Sequence, residues 1–134
     1  DGFLTVDDLE QLPLIDLDLA VLGSCFGANV AVLPGRELVG IPMAFLNQGT
    51  GAAITSLWEV DDAFSPRFSA ALYPAIQKLG PVDGLACAQR ELWRNCRPRD
   101  WAAYLVFQNR IAPAGPWRWL VWLGDKLLAD HRRL

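Results

Sequence analysis

The sequence has 134 residues, of which 52% are hydrophobic, and a net charge of −3 at pH 7. This length fits one domain with a substantial core and excludes two. The acidic balance, with no basic stripe along the chain, argues against nucleic acid as a main ligand. Because the apolar fraction is high for a domain surrounded by water, we expect extensive burial against a partner or a further part of the same fold.

The first predicted elements are a helix and a strand. Residues 4–12 place acidic residues around spaced leucines, which predicts a short helix with Thr5 as its cap. Residues 18–23 form a short apolar run, which is typical of a strand buried on both faces of a parallel sheet. Residues 26–35 are rich in glycine and proline and predict a loop.

A second helix and a second strand follow. Residues 36–48 carry apolar residues near helical spacing, and Gly49 closes the predicted helix. Pro42 weakens this prediction, because a proline in a helix interior costs about 3 kcal/mol. Residues 51–57 are again almost continuously apolar and predict a second buried strand.

The next elements are two helices and a strand. Residues 65–79 and 82–93 predict helices that are separated at Gly80. Residues 101–107 are apolar, include tyrosine and valine, and predict a third strand.

The order of these elements predicts an α/β protein. We divide the chain into residues 1–112 and a Trp-rich C-terminal extension, residues 113–134, in which residues 117–128 predict a helix. Three strands make a thin sheet for so many apolar residues, so we expect further strands upstream. The chain begins with Asp1 and not with Met, which also predicts a fragment of a longer protein.

The loop after the first strand contains a candidate nucleophile, Cys25. The carboxyl ends of strands in open α/β sheets are where reactive groups project into a crevice. The small residues Gly23 and Ser24 leave room for a substrate backbone, and the backbone N–H groups of Gly23, Ser24 and Cys25 are available to an oxyanion. A base must lower the pKa of such a thiol. On position alone, a small buried hydrophobe is the commoner role of a cysteine here.

Four segments in chain order carry a family resemblance. They are Leu22-Gly23-Ser24-Cys25, the stretch 35–49, Thr55-Ser56-Leu57-Trp58-Glu59-Val60-Asp61-Asp62, and Trp101-Ala102-Ala103-Tyr104. Together they resemble CHAT domains, which belong with caspases, gingipains and separase in one peptidase clan. The resemblance implies a three-layer α/β/α caspase-like fold with a mostly parallel sheet, incomplete here because N-terminal strands and the catalytic histidine are missing. Phe26 and Ala28 depart from the family pattern after the cysteine.

The activity that the resemblance implies is that of a cysteine endopeptidase with Cys25 as nucleophile. A caspase-like nucleophile needs a histidine, which in caspases lies upstream. His131, the single histidine, lies in a charged tail, where a solvent-exposed role is expected. We therefore expect the base to come from upstream sequence or a companion chain, and this isolated fragment to be inactive. The alternative is a catalytically inactive CHAT-like scaffold or protein-interaction module.

The resemblance places substrate binding at the turn after the second strand. Trp58 offers a flat apolar wall, and Glu59, Asp61 and Asp62 offer carboxylates for a basic P1 residue, as in separase and gingipains. Asp62 is the preferred pairing residue. The alternative is a solvated turn in which Asp61 or Asp62 caps the next helix.

The expected partners are a protein or peptide substrate, the upstream half of the peptidase domain, and a sensor or tetratricopeptide-type domain. No metal, cofactor, nucleic acid or transmembrane segment is expected, and the widely spaced cysteines indicate a reducing, cytoplasmic location.

Cys87 and Cys96 are expected to pack in the core. Four arginines surround Trp93 and are interpreted as a solvated helix end, with an interaction face as the alternative: Arg90, Arg94, Arg97 and Arg99.

Overall fold

The computed structural model describes residues 6–12, 14–23, 31–32, 38–109, 119–123 and 126–128. Within them the helices are α1 (Val6–Glu10), α2 (Ile41–Asn47), α3 (Ser65–Trp93) and α4 (Pro98–Trp101). The strands are β1 (Leu19–Leu22), β2 (Ala31–Val32), β3 (Leu38–Val39), β4 (Ala52–Ser56), β5 (Tyr104–Gln108), β6 (Trp119–Leu123) and β7 (Lys126–Leu128). The predicted α/β class is confirmed, and the predicted cap Thr5 lies outside the described residues.

A five-stranded sheet with the order β5-β4-β1-β6-β7 forms the framework. β1 pairs in parallel with β4 on one side and with β6 on the other. The outer pairs, β4 with β5 and β6 with β7, are antiparallel. The expectation of a mostly parallel sheet is therefore wrong for the described residues, where the sheet is mixed.

The long helix α3 explains the reversed direction of β5. α3 is interrupted at Gly80, whose φ of 80° and ψ of 174° are not helical. Gly80 tolerates this positive φ because it has no Cβ. The two halves, residues 65–79 and 81–93, fold back on each other and return the chain to the edge where β4 ends. Ser56 at the end of β4 therefore pairs with Tyr104 at the start of β5.

Helices cover both faces of the sheet around β1. Leu19 and Val21 of β1 belong to a core cluster that α3 completes, including Phe68, Leu72 and Ile76. Ala20 and Leu22 point to the opposite face, where Leu9 of α1 and Phe45 of α2 cover them. All four residues of β1 are buried, in agreement with the predicted strand. Burial of each large apolar side chain contributes about 1.5–3 kcal/mol, so β1 is held mainly by these two layers.

Helix α2 is shorter than the predicted helix at residues 36–48. It begins at Ile41, so that Pro42 lies in the first turn, where a proline needs no hydrogen-bonded N–H. Leu38 and Val39 instead form β3, which pairs antiparallel with β2 inside the predicted loop at residues 26–35. Pro42, which the sequence placed inside a helix, therefore lies in the first turn of α2.

The predicted helix at residues 117–128 is also wrong, because this segment forms β6 and β7. The Trp-Leu-Val-Trp-Leu run of β6 is rich in residues that favour strands, and the edge of β1 gives it a partner. β6 thus joins residues of the C-terminal extension to the sheet of the preceding domain. The division at residue 112 stays a prediction.

Candidate functional site

The candidate site lies where β1 and β4 end on the same edge of the sheet. The two strands run parallel, with Leu22 opposite Thr55. Gly23 follows β1 and is exposed, and the turn after Ser56 leaves β4 beside it. In open α/β sheets, ligands bind outside the carboxyl ends of the strands, which is the edge where β1 and β4 end. The candidate nucleophile Cys25 and the candidate oxyanion residue Ser24 lie outside the described residues.

The turn after β4 is tied to the segment that leads into β5. The backbone N–H of Leu57 donates to the carbonyl oxygen of Ala103 at 2.8 Å. The indole Nε1 of Trp58 donates to the carbonyl oxygen of Arg99 in α4 at 2.7 Å. The Trp58 ring is half-buried and packs against the core cluster on the α3 side. The ring therefore fixes the turn and still exposes part of its surface.

The three acidic residues of the turn differ in what they contact. All of them are exposed: Glu59, Asp61 and Asp62. The Oδ1 atom of Asp61 accepts the backbone N–H of Ala63 at 2.9 Å, and its carbonyl oxygen accepts the N–H of Phe64 at 2.8 Å. Asp61 therefore stabilises the turn into α3. Among the described residues, no hydrogen bond or ion pair engages the carboxylates of Glu59 and Asp62.

Arg97 is a cation near the acidic turn at residues 57–62. The Nε and Nη2 atoms of Arg97 donate to the carboxylate of Asp100 at 2.9 and 3.3 Å. This hydrogen bond raises the pKa of Arg97, and the negative charges of Asp100 and, more weakly, of Asp61 act in the same direction. Asp100 is buried, with 6% of its surface exposed. The acidic turn thus has an arginine within electrostatic range of Asp61, although that arginine is paired with Asp100.

Sequence reasoning missed one polar group at this edge of the sheet. The Oγ1 atom of Thr55 is buried and has no hydrogen-bond partner among the described residues. An unpaired buried hydroxyl is costly. Thr55 pairs with Leu22, the last residue of β1, so this hydroxyl lies at the edge of the sheet that carries the candidate site. The adjacent hydroxyl residues Thr55 and Ser56 at the end of the apolar strand β4 were the available signal.

The other sequence candidates lie elsewhere. Cys96 is half-buried and packs against the core, whereas Cys87 is exposed, contrary to the expectation of core packing, because it lies on the outer face of α3. Both thiols are unpaired. His131 lies outside the described residues.

Among the described residues, no group of three or more His, Cys, Asp or Glu side chains is placed to hold a metal ion. In the same part of the chain, no helix has the length and apolar character needed to cross a membrane.

Comparison with known proteins gives one family. The family model described as the CHAT domain matches residues 1–109, which include β1, β4, the acidic turn and β5. The match ends before β6. Neither the curated proteins nor the solved structures that were compared with the chain gave a significant match.

Proposed function

Since the chain belongs to the CHAT domain family, we propose that it is the cysteine-bearing part of a cysteine endopeptidase with a caspase-like three-layer fold. The family is associated with the caspase-like peptidase clan. The observation that carries the proposal is the parallel, in-register ending of β1 and β4. It supports a crevice in which the loop that begins at Gly23 and the turn at residues 57–62 share one edge of the sheet.

In the proposed reaction, the Cys25 thiolate attacks the carbonyl carbon of the scissile peptide bond. The backbone N–H of Cys25, with those of Gly23 and Ser24 nearby, stabilises the oxyanion of the tetrahedral intermediate. A histidine protonates the leaving amine as the C–N bond breaks, and water then hydrolyses the thioester. No metal or cofactor takes part in this scheme.

We place the histidine outside these 134 residues, in upstream sequence or a companion chain. The chain carries one histidine, His131, in a charged tail. A general base must come within hydrogen-bond reach of the thiol. The proposed assembly therefore joins this chain to a histidine-bearing half of the domain, with a sensor or tetratricopeptide-type domain as a regulatory partner in the cytoplasm.

For specificity, the contacts of the turn favour a basic P1 residue. Asp61 is engaged by Ala63 and lies near Arg97, whereas Asp62 and Glu59 keep their carboxylates available. A carboxylate binds a guanidinium with two parallel hydrogen bonds. We assign Asp62 as the main pairing residue and the exposed part of Trp58 as an apolar wall beside it.

The test is cleavage of a P1-randomised peptide library by the complete protein that contains this chain. Cys25→Ala is expected to abolish cleavage, while Cys87→Ala, a matched change at an exposed cysteine away from the site, leaves it intact. Asp62→Asn is expected to lower kcat/KM for Arg and Lys substrates about tenfold or more, with a smaller effect on neutral P1 residues.

The alternative function is a non-catalytic CHAT-like scaffold. If no peptide is cut and a thiol probe labels wild type and Cys25→Ala equally, Cys25 is not an activated nucleophile and the scaffold is the better conclusion. Cleavage that depends on Cys25 but prefers another P1 residue would keep the peptidase and reject the acidic pocket. Loss of activity in His131→Ala would place the base within the chain.

A further inference from the structure

A basic and aromatic surface lies at the end of α3 and in the segment that follows it. We define the arginine–tryptophan patch by five residues: Arg90, Trp93, Arg94, Arg97 and Arg99. Arg90 and Trp93 lie three positions apart on one face of α3, and Arg94, the C-cap with helical φ and ψ, continues that face four positions after Arg90. Arg97 and Arg99 follow at the start of α4 and in it. The patch therefore continues from one helix to the next.

The exposure of this patch is unusual for its residue types. The Trp93 side chain is 63% exposed, although a tryptophan has much to gain from burial. The four arginines are exposed as well, and the side chain of Arg97 is 70% exposed. A solvated helix end accounts for the arginines but leaves the exposed indole unexplained.

The charges of the patch are largely uncompensated. Residues 90–99 contain four arginines and a single acidic residue, Glu91, in a chain whose net charge is −3. Among the described residues, Arg97 has an ion pair with Asp100, and Arg90, Arg94 and Arg99 have none. Arginine and tryptophan together are the residues that most often dominate the energy of protein–protein interfaces.

We propose that the arginine–tryptophan patch is a docking surface for an acidic segment of another protein that also carries an apolar side chain. Carboxylates of the segment pair with the guanidinium groups, and the apolar side chain packs on the Trp93 ring. A nucleic acid fits less well, since four arginines neutralise few of the phosphates that follow one another along a strand, whereas a short acidic segment needs few cations. Charge complementarity thus favours a protein.

The patch borders the acidic turn of the candidate site. The carbonyl oxygen of Arg99 accepts the Trp58 indole N–H, and Arg97 lies within electrostatic reach of Asp61. A docked segment would therefore lie next to the turn at residues 57–62. The docking proposal does not depend on peptidase activity, because binding alone tests it.

The test uses the full chain and a short fluorescein-labelled peptide of glutamates and aspartates with interspersed leucines, measured by fluorescence anisotropy. We expect saturable, salt-sensitive binding that Trp93→Ala and the double variant R90E/R94E each weaken about tenfold or more. Lys78→Glu is the matched control, because Lys78 is an exposed cation near Gly80, at the opposite end of the α3 hairpin, and should change the affinity little. Circular dichroism checks that each variant is folded.

Three results would overturn the proposal. The first is absence of binding by wild type, or equal binding by wild type and the two patch variants. The second is tighter binding of labelled single-stranded DNA than of the acidic peptide, with loss in the same variants, which would assign the patch to nucleic acid. The third is a dimer in sedimentation that R90E/R94E dissociates, which would assign the patch to a second copy of the chain.

Discussion

The indole Nε1 of Trp58 and the carbonyl oxygen of Arg99 lie 2.7 Å apart, although 41 residues separate them in sequence. This bond holds the turn after β4 against α4, at the place where the chain turns back to form β5. Trp58 therefore has a structural role that is separable from the substrate contact proposed for it.

The first prediction removes this hydrogen bond and keeps most of the ring. Trp58→Phe leaves the Arg99 carbonyl without its donor, and we expect the free energy of unfolding to fall by about 1 kcal/mol in urea denaturation. Trp93→Phe is the control, because Trp93 is largely exposed and its change should stay within about 0.5 kcal/mol. Equal effects of the two variants would show that the bond to Arg99 contributes nothing specific.

The second prediction concerns the contact between the two halves of α3. A Cβ atom on Gly84 would lie 2.7 Å from both the Cα and the N of Ile76, which are backbone atoms that cannot rotate away. Alanine is the better helix former by about 1 kcal/mol, so without this contact Gly84→Ala would stabilise the protein. We expect it instead to destabilise by about 1–3 kcal/mol in urea denaturation. Asp83→Ala, at the exposed neighbouring position, is the control, and a stabilised Gly84→Ala would contradict the close approach of the two halves.

The third prediction concerns alkaline pH. Burial raises the pKa of Tyr73 above its ordinary value of 10.0, and a side-chain hydrogen bond with Ser69 partly opposes this effect. The folded state therefore favours the neutral phenol, and the resulting stability is fully present below pH 10 and lost as the pH rises through the raised pKa. Thermal unfolding of Tyr73→Phe should show a smaller alkaline loss than wild type. The control is a pH titration of wild type followed by phenolate absorbance. If all of the absorbance change is complete at or below the ordinary tyrosine pKa, burial does not raise the pKa of Tyr73 and the prediction fails.

The fourth prediction separates two adjacent carboxylates. Asp61→Ala removes the acceptor of the Ala63 N–H and should lower the free energy of unfolding by about 0.5–1.5 kcal/mol. Asp62→Ala should change it by less than about 0.5 kcal/mol, because no described residue contacts that carboxylate through a hydrogen bond or ion pair. Urea denaturation of both variants gives the comparison, and the reverse order of stabilities would reject the division of roles between them.

The strands next to the candidate site were predictable because their signal is local. β1 and β4 are short apolar runs, and both proved to be buried along their whole length. Gly80 marked the break in α3 correctly, since a positive φ at a helix end is a property of glycine itself. Asp61 does not take the capping role that the sequence allowed, because the N-cap of α3 is Phe64 and carries no side-chain cap; its carboxylate accepts the Ala63 N–H inside the turn instead.

The misassigned elements depend on partners far away in sequence. Leu38 and Val39 form a strand because β2 lies beside them, and β6 forms because β1, about 100 residues earlier, offers an edge. The hydrogen bond from Trp58 to Arg99 and the unpaired hydroxyl of Thr55 have no pattern in the local sequence. The sequence shows which polar groups are present. Whether each of them finds a hydrogen-bond partner depends on tertiary contacts.

The central place of β1 sets a condition on any assembly with a histidine-bearing half. A strand has only two hydrogen-bonding edges, and β4 and β6 occupy both edges of β1. A strand arriving from outside must therefore extend the sheet at β5 or β7, or compete with β6 for the edge of β1. If the incoming strand competes with β6, then β6 of the C-terminal extension occupies the edge of β1 only until assembly. Assembly would then exchange β6 for the incoming strand.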